Sequence, residues 1–208
     1  MEKIQLDKPT LILWGGVAAV GKTTLLDKII TKINDSFVID KDSMADSFLV
    51  THDESEKHGV LLYRFSGPKI HRPSEYYDKH VKFQHYHCML ALAKFNIQRG
   101  KNPIIDGNFS NLIPMGYLEN VVEPFFMGVN HIRKIVYCHA PAEVIRERMQ
   151  KRAEPRDKQF YESDEAWARY LEDRPILPNE LERYNHIKIN TSETSESNIK
   201  RVLDYLVS

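Results

Sequence analysis

The chain has 208 residues, 42% of them hydrophobic, with 29 basic and 29 acidic side chains and a formal net charge of zero. That length buries roughly 70% of its unfolded surface around one core, so a single domain over 1–208 is expected, with room for a lid but not for two ordinary domains. Balanced charge excludes a global pull toward nucleic acid or an anionic membrane, and no segment nears 18 continuous apolar residues, so no membrane partner and a cytoplasmic location are expected.

After the polar start MEKIQLDKPT, the apolar burst TLILWG (10–15) reads as a buried strand that opens into a turn at Gly15 and Gly16. TTLLDKIITKI (23–33) follows with Leu25, Leu26, Ile29, Ile30 and Ile33 at helical spacing. SFVID (36–40) is a second strand, and Asp42 or Ser43 is placed to cap a helix through MADSFL. Residues 51–73 mix His, Ser, Gly and Pro and read as an irregular connection.

From Pro73 to Gly100 no Gly or Pro interrupts the chain, which predicts a long helix stopped by glycine, its first two turns open to being separate. NPIIDGNF (102–109) is a strand and polar turn; a helix is expected from Pro114, bent near Pro124. IRKIVYCHA (132–140) is a strand, with Pro141 suited to the first turn of the helix AEVIRERMQKR. Lys151 to Asp164 is dense in charge without an apolar period and reads as a flap, so a lid is expected around 151–164. DEAWARYLEDR is helical, RPILPN a loop, HIKIN (186–190) the last strand and SNIKRVLDYL a closing helix. Cys88 and Cys138 lie in apolar runs without metal or redox spacing, as in a reduced protein.

Strands that are apolar without alternation, each followed by a helix, predict a parallel sheet covered on both faces, with its ligand crevice at the carboxyl ends of the strands. Gly16, four residues, then Gly21-Lys22-Thr23 match GxxxxGK[ST] without a gap. Glycine lets the backbone curl so that the amides of Gly16, Val17, Ala18, Ala19, Val20 and Gly21, and the helix start at Lys22, Thr23 and Thr24, face a phosphate chain. Lys22 is suited to β/γ phosphates and the Thr23 hydroxyl to magnesium. No NKxD guanine signature occurs, which favours ATP over GTP, and the length leaves no space for the extra helical domain of an oligomeric motor.

On these residues the chain resembles the P-loop kinase superfamily, and more narrowly kinases of the polynucleotide-kinase, gluconate-kinase, chloramphenicol-phosphotransferase and zeta-toxin type (AAA_33-like ATP-binding proteins). The resemblance implies an α/β three-layer P-loop fold with a parallel five-stranded sheet in the order 2-3-1-4-5 and a helical lid. It implies ATP and Mg²⁺ as cofactors. In such proteins the turn after strand two carries the aspartate that accepts the substrate hydroxyl's proton; IDKDSM aligns Asp42 best, with Asp40 close behind. Where an arginine commonly stands three residues on, this chain has Ala45. RERMQKRAEPRD supplies Arg148, Arg152, Arg156 and Asp157 at the family's flap spacing, which implies that Arg152 and Arg156 reach the transferring phosphoryl group and Arg148 the adenine or α/β phosphates. Asp106 and Asn108 match a DxN turn after strand three, and Asn190, Thr191 and Ser192 stand in the place of the adenine-contacting loop.

Each assignment has a plainer alternative. Asp42 is also a candidate helix cap, Asp106 and Asn108 suit an ordinary turn, and the flap arginines have acidic neighbours to pair with on a solvated surface. Asp106 is the expected magnesium carboxylate beside Thr23. Asp40, Tyr77, Asn108 and Phe109 are the expected acceptor contacts, while His80, His85 and His87 read as packing and surface positions. The expected activity is transfer of the ATP γ-phosphate to a hydroxyl of a small molecule. A regulatory ATPase and a 5′-hydroxyl polynucleotide kinase are the rivals, the latter disfavoured by the missing basic track.

Overall fold

The computed structural model describes residues 3–49, 74–155 and 157–208; the irregular connection expected over 51–73 and the candidate Arg156 lie outside the described residues. Five strands, β1 (Thr10–Gly15), β2 (Ser36–Asp40), β3 (Asn102–Asp106), β4 (Ile132–His139) and β5 (His186–Asn190), form one parallel sheet in the expected order β2-β3-β1-β4-β5.

The absence of polar alternation in β1 has its reason in the two cores. Ile12 and Trp14 face one apolar cluster and Leu11 and Leu13 the other, and β4 divides the same way, Val136 and Cys138 against Ile135 and Tyr137. A strand covered on both faces must be apolar at every step. One cluster is closed by α1 (Lys22–Ile30), α5 (Ala142–Arg152), α7 (Asp164–Asp173) and α8 (Ser195–Val207), the other mainly by α3 (Lys82–Ile97), which gives the three layers.

The smaller elements refine the sequence expectations. A helix, α2, spans Lys41–Phe48, so its cap is not Asp42 or Ser43: the Asp40 carboxylate accepts from the Ser43 N–H at 2.6 Å. The long helix expected to run to Gly100 has a π-helical turn, Tyr77–Val81, near its start, becomes α3 at Lys82 and ends at Ile97. The helix expected from Pro114 is mostly a second π turn, Leu118–Val122, followed by the short α4 (Glu123–Phe125). The change of register falls beside Pro124, whose missing N–H cannot complete an interior bond. Pro141 stands one residue ahead of α5 instead of in its first turn. In the charge-dense flap, α6 (Lys158–Tyr161) leads to Ser163, which caps α7 by accepting from the Ala166 N–H at 3.1 Å.

Candidate active site

Parallel pairing in step brings the strand ends to one edge. Trp14 pairs with Asp106, Asp106 with Asp40, Gly15 with Tyr137 and His139 with Asn190. A cleft of ≈ 720 Å³ opens there.

The glycine loop forms one wall. Gly16 has φ +135°, and a Cβ on it would lie 2.4 Å from the Cys138 carbonyl oxygen, so neither the conformation nor the space admits a side chain. Gly21 (φ +99°) leads into α1, whose first turn holds no acidic residue and whose cap position makes no side-chain hydrogen bond. The N–H groups that open the helix are thus available to an anion. Lys22 folds back along the loop, donating to the carbonyls of Gly16 at 2.9 Å and Val17 at 3.0 Å. Burial lowers its pKa below the usual 10.5, opposed by the negative field of Asp106 and, more weakly, of Asp42.

Across the cleft, Asp106 is 5% exposed at the end of β3. Burial raises its pKa to about 6; Lys22 works against the rise, and Asp40 and Asp42 add to it. Asp42 is exposed in the first turn of α2, and the chain spends Asp40, not Asp42, on the cap. Asp40 thus takes the capping role expected of Asp42 or Ser43 and opens α2, and both acids line the cleft. Tyr77 lines the same end, at the start of the π turn, where its N–H donates to Ser74 Oγ at 3.1 Å. Single π turns recur where a helix must re-aim a side chain.

The third wall is the lid side. Arg148 donates to the Val20 carbonyl at 2.9 Å, to Thr191 Oγ1 at 3.0 Å and to the Thr191 carbonyl at 3.0 Å. Thr191 Oγ1 also bonds the Val20 carbonyl, and its N–H donates to His139 at 2.9 Å. Loop, α5 and the β5–α8 turn are cross-linked through these two side chains. Arg152 pairs with Asp157, which is buried.

Of the expected nucleotide contacts, Ala18, Ala19, Gly21, Lys22, Thr23, Thr24, Arg148 and Thr191 line the cleft. Gly16, Val17 and Val20 are buried beneath it, and Asn190 and Ser192 bond each other at its margin, the Ser192 N–H donating to Asn190 Oδ1 at 3.0 Å. Asp40, Asp42, Tyr77, Asp106, Asn108 and Arg152 also line it. Asn108 Oδ1 is engaged by the N–H and hydroxyl of Ser110 at 3.0 and 2.6 Å, closing a local turn.

Phe109 is a correction. It is 3% exposed and does not line the cleft; its ring packs on Tyr86 and against Gly15 and Gly107. A Cβ on Gly107 would stand 3.3 Å from the ring, so the bare backbone there leaves the ring its room in the core. The sequence reading missed Lys41, Phe160, Tyr170, Arg174 and Asn198, all of which line the cleft. Phe160 belongs to the stretch read as a flap, Tyr170 and Arg174 to the helix DEAWARYLEDR and Asn198 to the closing helix, and the apolar face of DEAWARYLEDR was the one available signal.

A strand, a glycine loop and a helix at the end of a parallel sheet, with acids across from a loop lysine, define a P-loop nucleotide-binding architecture. A family model described as AAA domain matches residues 11–175, and the chain belongs to that family. The fold is similar to that of a candidate kinase from Chloroflexus aurantiacus (TM-score 0.60, 18% identity, 96% of this chain and 99% of that one). It is also similar to the APS kinase of Mycobacterium tuberculosis, solved with AMPPNP and APS (0.56, 12%, 98% and 99%), and to a gluconokinase from Sinorhizobium meliloti (0.52, 13%, 97% and 93%). Among curated proteins none matches the sequence. No described helix is long and apolar enough to cross a membrane.

Proposed function

We propose that the protein is an ATP-dependent kinase that transfers the γ-phosphate to a hydroxyl group of a small molecule. The observation that carries this reading is the opposition of Lys22 and Asp42 within one cleft, near enough that the Asp42 charge bears on the lysine's proton affinity. Phosphoryl transfer asks for positive charge around the terminal phosphate and an oriented hydroxyl. Lys22 and the loop amides serve the phosphate, and Asp42 takes the acceptor's proton. Arg152 supplies charge from the lid once Asp157 releases it. Arg156, at the same motif spacing, belongs with it. The cleft volume suits a nucleotide and a compact acceptor, in the range of small-molecule sites.

Magnesium fits the residues present. Thr23 offers an exposed hydroxyl and Asp106 a buried carboxylate, both hard oxygens on the cleft. Among the described residues no cluster of three or more His, Cys, Asp or Glu forms a protein cage, in keeping with an ion held largely by water and phosphate. When bound, the ion neutralises phosphate charge. Tyr77, Asp40 and Asn108 border the acceptor end, and the Arg148–Thr191 link sets the nucleotide end. The test is a screen of hydroxyl metabolites for ATP consumption: a kinase shows ADP release stimulated by its acceptor, and a flat response across sugars, nucleosides and hydroxy acids removes the reading.

A further inference from the structure

The cleft's guanidiniums differ in what already holds them. Arg148 is committed to two carbonyls and a hydroxyl, and Arg152 is neutralised by Asp157. Arg174, which belongs to no motif, lines the same cleft from the end of α7. Its guanidinium lies 4.7 Å from the Phe160 ring centroid and 5.1 Å from that of Tyr170. Among the described residues no oxygen accepts a hydrogen bond from its side chain and no carboxylate pairs with it. Stacking steadies the charged group without using any of its five N–H donors. A guanidinium braced by two rings and left with all its donors is prepared for an oxyanion that can accept more than one of them, a carboxylate or a phosphate.

Its location says which anion. Phe160 and Tyr170 belong to the apolar group against which Ala18 and Ala19 of the glycine loop pack, and Tyr170 stands beside the Ala18 backbone. The Lys22 field also feels Arg152 from this side. Arg174 thus approaches the cleft over the loop, on the opposite side from Asp40 and Asp42.

We infer that Arg174 contacts the terminal phosphate of the bound nucleotide, as a phosphate-binding residue outside the arginine-rich flap. The inference rests on the reading that the glycine loop holds a triphosphate. It is tested by titration calorimetry with magnesium, using AMPPNP and ADP as separate probes. Arg174→Ala is expected to weaken AMPPNP binding by about tenfold or more, the loss of one charge-assisted hydrogen bond, and ADP binding by less than about twofold. Arg174→Gln keeps a planar group against the rings while removing the charge, and the same selective loss is expected, so it decides the matter if the alanine variant shows no thermal unfolding transition. Equal losses for both nucleotides, or no loss for either, overturn the assignment while leaving the nucleotide site intact. Failure of the unmodified protein to bind either probe overturns the nucleotide reading itself, and Arg174's role with it.

Discussion

At the glycine-loop end of the cleft the walls are tied to one another: Arg148 and Thr191 bind the Val20 carbonyl, and Lys22 binds the loop's own carbonyls. At the opposite end Asp42 is exposed on the first turn of α2, and Tyr77 enters from a π turn far along the chain. The first end is closed by hydrogen bonds among the glycine loop, α5 and the β5–α8 turn, whereas the second draws its side chains from α2 and from the π turn ahead of α3. On the kinase reading proposed above, the first end holds the donor and the second the acceptor. Substitutions at the two ends should therefore separate binding from turnover.

The largest separation is expected at Asp42. Asp42→Asn should slow phosphoryl transfer by about 10²–10⁴-fold while ATP affinity by calorimetry stays within about twofold, because a general base acts on the acceptor hydroxyl and not on the nucleotide. A parallel fall in ATP affinity would mean that the two ends are not independent. Lys22→Ala should behave oppositely, lowering turnover by about 10²–10³-fold together with nucleotide affinity, since its ammonium serves the phosphates in both ground and transition states. Unchanged nucleotide affinity in that variant would remove Lys22 from the cradle.

Asp106 sits where the ends meet, and its titration gives a sharper test. Its pKa of about 6 in the folded protein exceeds the unfolded 3.8, with burial the main cause. The folded state therefore holds the proton more tightly, and stability falls as pH rises from about 4 to about 6. Above that window the ionised carboxyl costs about 3 kcal/mol. In EDTA, Asp106→Asn should be more stable than the native chain by up to that amount at about pH 8 and indistinguishable below about pH 4, as read by denaturant unfolding. A constant difference across this range would show that the buried charge is not the cause.

The same two ends differ in how far the sequence discloses them. The cradle lies within Gly16–Thr23, where a strand, positive-φ glycines and a helix start are consecutive, so local chemistry suffices. The five strands are legible for a related reason: each is a short apolar run bounded by polar turns. The acceptor side depends on which face a distant side chain takes. Phe109 follows β3 as an acceptor contact would, yet its ring turns into the core beside Gly107, where no side chain crowds it. Arg174 looks like the end of a surface helix until Phe160, from a different helix, is seen against it. The cap expected at Asp42 or Ser43 falls instead to Asp40 because the capping role goes to whichever polar residue precedes the first helical one, and a shift of two residues in that boundary moves it from one acid to the other.

That exchange supplies the smallest expected effect. Asp40 Oδ1 accepts from the Ser43 N–H, so Asp40→Ala should lower stability by about 1 kcal/mol, and Asp40→Asn, which keeps an accepting oxygen, should recover most of it. If Asp40→Asn restores transfer together with stability, Asp40 acts on the acceptor end by fixing where α2 begins and hence where Asp42 points. If stability returns without transfer, the Asp40 charge itself meets the acceptor, and the two acids share the hydroxyl instead of dividing cap from base.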